Sequence, residues 1–169
     1  MDSASNFIEV IFKLALPVGG LSFLMVWWAF KKGVLQEKNH MKALSAEIKA
    51  ISKLKGDEKP DINPMHGKWL KFGGGFYGIV ALYTYGLVEW NELRTFVADF
   101  GGFRAFIGQL DVGVIISILV EGLKNFITAI TWPVYWMSEF GSNRIWIWMG
   151  IAYGAYWLGM KAAQHFIED

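Results

Sequence analysis

Hydrophobic and polar positions fall in long blocks along this chain rather than in short alternation. Three uncharged runs stand out: LALPVGGLSFLMVWWAF over 14–30, FGGGFYGIVALYTYGLV over 72–88 and IWIWMGIAYGAYWLGM over 145–160. Crossing the hydrocarbon of a bilayer takes about 20 mostly apolar residues in a helix. Charged residues at the ends, such as Lys13, can snorkel to the headgroups. The runs therefore predict membrane-spanning helices over about 11–30, 69–88 and 145–163. A fourth run, VGVIISILVEGLKNFITAITWPVYWM over 112–137, is long enough to span but carries Glu121 and Lys124 near its middle. Ser117, Glu121, Lys124, Thr128, Thr131 and Tyr135 recur at spacings of three and four, so on a helix they form one polar stripe. The remaining faces are apolar, which favours a third span with one polar side over a re-entrant or interfacial segment.

The segments between the runs have their own pattern. In 31–68, VLQEKNHMKALSAEIKAISKLK holds strong helix formers and no internal Pro or Gly. Met41, Leu44, Ile48 and Ile51 make one apolar face on it. The first span is able to continue into this segment as a single helix, ended by GDEKPDINP with Pro60 and Pro64. Two readings of it stand. Lys38, Lys42, Lys49, Lys53 and Lys55 either hold the helix on anionic headgroups or face a partner. Between 89 and 111, Leu93, Phe96, Val97, Phe100, Phe103, Ile107 and Leu110 predict a helix half sunk in the outer interface, in preference to a loop packed on another subunit. A short inner loop over 138–144 and an outer tail over 164–169 complete the chain.

Charge orients this arrangement. The stretch 31–71 holds ten Lys and Arg against five acids, net +5, whereas 89–111 holds two Arg against four acids, net −2. Basic loops stay cytoplasmic, so the long loop is expected inside and both termini outside, which four crossings satisfy. The opening MDSASNF is not basic and no cleavage pattern follows the first run, so that run is expected to stay as a span. The predicted fold is an all-α integral membrane protein with four transmembrane helices, a cytoplasmic amphipathic helix and an outer interfacial one.

Composition agrees. The 169 residues are 54% hydrophobic and 17% aromatic but only 18% charged, with mean hydropathy +0.31. Soluble domains carry about a quarter charged residues. The absence of cysteine excludes disulfides, thiolate catalysis and cysteine-ligated metal. A net charge of +1 argues against a nucleic-acid binder.

Candidate chemistry is sparse. Glu121 and Lys124 are costly at a helix centre, about 2.5–3.5 kcal/mol each on insertion scales, so they are expected to face a bundle interior, a partner or water. Gly74 with Gly78, and Gly150 with Gly154, are four apart and predict close helix packing. His40, His66 and His165 are separated by the predicted topology, so no metal or other cofactor is expected, and each is expected to be solvated or to face headgroups. Gly73–Gly75 lacks the strand and Lys-Ser/Thr of a phosphate loop. No nucleophile motif occurs, and no enzyme activity is expected. The expected role is a non-catalytic accessory or scaffolding subunit of a larger complex in a bacterial inner membrane, with lipid and other membrane subunits as partners. The alternative is a homo-oligomeric channel or transporter with Glu121 and Lys124 lining the path.

Overall fold

A computed structural model describes residues 3–36, 40–55, 58, 60, 63–98, 112–140 and 145–168. All regular structure among them is helical: α1 (Ser3–Val10), a π-helical turn (Ile11–Ala15), α2 (Leu16–Lys31), α3 (Met41–Lys53), α4 (Pro64–Lys71), α5 (Gly75–Ala98), α6 (Val112–Ile130), α7 (Trp132–Phe140) and α8 (Ile145–Glu168). Phe7–Lys31 and Val112–Ile130 are long and apolar enough to cross a membrane, at mean hydropathies of 1.9 and 1.7. α5 and α8, 24 residues each, are rich in Gly, Tyr and Trp and fall outside that pair. Of the four expected spans, two have the required hydropathy.

The first helix does not continue into the basic segment. Gly33 adopts φ +71°, and the amides of Val34 and Leu35 both turn back to the Ala29 carbonyl at 2.9 and 3.4 Å, a left-handed stop that glycine tolerates without steric cost. α3 then packs Leu44 and Ile48, at 0% and 1% exposure, against the chain itself. Its apolar face therefore closes on Ala29, Leu35, Trp69 and Leu70 rather than on headgroups, and Lys42, Lys49, Lys53 and Lys55 point outward. Lys38 lies outside the described residues.

The predicted span over 69–88 is two helices. Gly73, Gly74 and Gly75 take φ of +93°, +63° and +58°, which L-residues with side chains adopt only at a cost. The chain reverses there, and α4 lies back along α5. Lys68 comes to rest 4.1 Å above the Tyr85 ring, although 17 residues of continuous helix would hold them about 25 Å apart. At its other end α5 runs unbroken past 88 to Ala98. The first ten residues of the expected outer helix are thus its continuation, exposed from Trp90 onward; 99–111 lie outside the described residues.

The fourth run is also broken. α6 ends at Ile130 and α7 starts at Trp132, with Pro133 entering the new first turn where its missing N–H costs nothing. α6 descends α5, with Asn125 near Glu89 and Glu92 and the Ile130 carbonyl accepting from the Tyr77 hydroxyl. α7 goes the other way, with Trp132 on Phe76 and Trp136 on Tyr83. Residues 138–140, expected as loop, finish α7.

α2 and α8 form the main helix pair. At their crossing Gly19 abuts Ala155 and Gly159 sits under Ser22. Ser22 Oγ lies 2.9 Å from the Gly19 carbonyl and 3.0 Å from that of Tyr156. The two helices run in the same direction. Near the start of α8, Trp148 meets Phe140 at 6.2 Å, beside the Glu139 carboxylate 3.5 Å from Lys13. Farther along, Phe166 meets Phe23 at 5.6 Å. If both helices crossed, this parallel course would put the chain ends on opposite sides, against the expected outer termini; with Phe7–Lys31 and Val112–Ile130 alone crossing, the two ends would share a side. The expected tail from 164 is helical to Glu168.

Candidate functional site

α6 is the least covered helix of candidate span length, with 12% of its apolar window buried. Asn125 and Ala129, at 3% and 0% exposure, form its contact ridge. Asn125 Nδ2 donates to Glu92 Oε2 at 2.6 Å and Glu89 Oε1 at 3.3 Å, so a charge-assisted pair of hydrogen bonds sets the register of α6 on α5. Opposite this ridge Ile116, Leu119, Leu123 and Ile127 are 48–68% exposed.

The predicted polar stripe lies between these two faces. Ser117, Glu121 and Lys124 are exposed, Thr128 is half-buried, and the stripe ends at the bend. There Thr131 turns its hydroxyl back to the Ile127 carbonyl at 2.8 Å, and Tyr135 belongs to α7. Glu121 and Lys124 do not pair with each other within ion-pair distance; of the stripe, Tyr135 packs against the core and Ser117, Glu121 and Lys124 stay exposed. The polar residue that does dock is Asn125, one position beyond Lys124. An amide amid an apolar run was the available signal, but its partners Glu89 and Glu92 fell in a segment expected to be separate.

A second polar cluster surrounds the π-helical turn. Lys13 Nζ lies 2.6 Å from Glu9 Oε1 and 3.5 Å from Glu139 Oε1. The widened turn presents the Lys13 carbonyl outward, where the Tyr83 hydroxyl donates to it at 2.6 Å. These side chains are 38–50% exposed, so the ion pairs contribute at most about 1 kcal/mol each. Their role is to tie α7 to the first helix. Sequence reasoning treated Lys13 as a snorkelling end residue and missed this.

The glycines divide. Gly78 faces the Trp69 carbonyl at 2.9 Å and Gly74 faces Ile48 at 3.0 Å, measured from an added Cβ, while nothing lies within 4 Å of Gly150 or Gly154. The close-packing glycine of α8 is Gly159, in register with buried Ala152 and Ala163. That seven- and four-residue spacing of small residues was the signal.

His66 is 1% exposed rather than solvated. Its Nε2 lies 2.9 Å from the Met25 carbonyl and its Nδ1 3.1 Å from Asn63 Oδ1, which also caps α4 by accepting from the His66 amide at 2.9 Å. Burial lowers the His66 pKa from its ordinary value, and the Met25 carbonyl offsets part of this. No group of three His, Asp or Glu among the described residues is placed to hold a metal ion.

Searches of protein-family models, curated proteins and solved structures found nothing that matches this chain.

Proposed function

We propose that this chain is a non-catalytic accessory or scaffolding subunit of a larger complex in a bacterial inner membrane, and that α6 is the surface it offers. The observation that carries the reading is the exposure of Glu121 and Lys124, without an ion-pair partner among the described residues, on a helix of membrane-span hydropathy. Lipid is a poor neighbour for either charge. A helix from another subunit that supplies hydrogen-bond partners to the stripe and apolar contact to Leu119, Leu123 and Ile127 removes that cost. The net charge of 31–71 supports a cytoplasmic position for that segment.

Mild detergent extraction followed by mass analysis under native conditions tests the proposal. A distinct protein should accompany the chain in fixed stoichiometry. Glu121→Leu should reduce its recovery about tenfold or more, as expected from a hydrogen bond to a charged group worth about 1.5–3 kcal/mol. A pure homo-oligomer whose bilayer current changes in Glu121→Gln contradicts the subunit reading and favours transport.

A further inference from the structure

A cavity of about 560 Å³ opens between α2, α4 and α5, walled mainly by Leu21, Met65, Leu82, Leu87 and Trp90, with Lys68 at its edge. Binding sites for small molecules generally occupy about 300–1,000 Å³ and are mostly apolar with a few placed polar groups. A smaller cavity of about 200 Å³ adjoins it, lined by Lys71, Phe72 and Phe126 and sharing Lys68 and Tyr85 with the first. The Lys68 ammonium, held over the Tyr85 ring at 4.1 Å, therefore stands where the two cavities meet. Lys71 is three residues on, hence on the same side of α4. Neither ammonium has a carboxylate within ion-pair distance among the described residues. Glu89, which also lines the larger cavity, is engaged by Asn125 at 3.3 Å.

We propose that the two cavities hold an anionic glycerophospholipid, one acyl chain in the larger cavity and the phosphate between Lys68 and Lys71. An apolar slot ending at two such cations complements a molecule with an apolar chain ending in a phosphate. Arrangements of basic groups between membrane helices bind such headgroups. The site exists because the left-handed turn at Gly73–Gly75 folds α4 back on α5, and because Gly86 contributes no side chain to the larger cavity. This inference rests on the membrane reading for its supply of lipid.

Gly86 gives a direct test, because it lines the larger cavity and an added Cβ there has no neighbour within 4 Å. The full chain, purified in detergent, is titrated with phosphatidylglycerol or phosphatidylcholine and its bound lipid counted by native mass spectrometry. Phosphatidylglycerol should bind at one copy per chain, at least tenfold more tightly than phosphatidylcholine. Gly86→Phe should weaken it at least tenfold, and Lys68→Gln with Lys71→Gln should remove the preference for the anionic lipid. Equal binding of the two lipids, no effect of Gly86→Phe, or full competition by glycerol 1-phosphate would each overturn the proposal. So would loss of a co-purifying protein, rather than lipid, in Gly86→Phe. Resistance of the unmodified chain to alkaline extraction from membranes scores the membrane reading separately: a chain that stays in the membrane but retains no lipid defeats this inference alone.

Discussion

Gly159 and His66 show what single residues do in this molecule. A methyl group on Gly159 would overlap Ser22 Oγ and the Gly19 carbonyl, and backbone cannot yield as a flexible side chain would. Gly159→Ala should destabilise the α2–α8 pair by about 1–3 kcal/mol, the usual cost of overpacking, read as a lower thermal midpoint in detergent. Gly150→Ala and Gly154→Ala meet open space and should leave the midpoint unchanged or slightly raised. His66 acts through protonation. Its folded-state pKa is lowered from 6.5, so as pH falls the unfolded chain binds this proton first. Its contribution to stability is complete above about 6.5 and declines from there down through the lowered folded-state value. Thermal midpoints at pH 7.5 and 5.5 should differ less in His66→Gln than in the unmodified chain; an equal difference would place the pH response elsewhere.

Three breaks decide how the elements are arranged: Gly33, the run Gly73–Gly75, and Thr131 with Pro133. Gly74 carries the sharpest prediction. Its φ is +63°, and an Ile48 methyl lies 3.0 Å from where a Cβ would sit. Gly74→Ala should therefore cost about 1–2 kcal/mol from backbone handedness alone. Loosening of α4 from α5 is measurable as faster hydrogen exchange at Trp69–Lys71. These breaks also mark what the sequence could convey. The helical character of the long apolar runs followed from apolar content and spacing, and the apolar ridge of α3 was readable at Leu44 and Ile48, whereas the helical ends at 64–68, 138–140 and 164–168 were read as linker, loop and tail. The hairpin was not, because a glycine run inside an apolar stretch suits both a packed span and a left-handed turn, and composition does not distinguish them. The bend at Thr131 had Pro133 as a marker, yet proline is tolerated in a first helical turn and inside membrane helices. Polar contacts were harder still: Asn125 with Glu92, or Lys13 with Glu139, join residues whose proximity depends on those same breaks.

At the scale of the whole molecule, the parallel course of α2 and α8 has a direct consequence. If α8 crosses as α2 does, reporter domains fused after Lys55 and after Asp169 read the same side of the membrane, the cytoplasmic side by the basic loop; if only Phe7–Lys31 and Val112–Ile130 cross, they read opposite sides. The subunit role rests on the uncovered face of α6, and a photo-crosslinking residue in place of Leu123 addresses it in the native membrane. The position is 59% exposed and lies on the apolar ridge beside Lys124. Irradiation should yield one adduct of defined mass with a different protein, lost when Glu121 is replaced by Leu. Adducts with lipid alone, or only with further copies of this chain, would contradict that role.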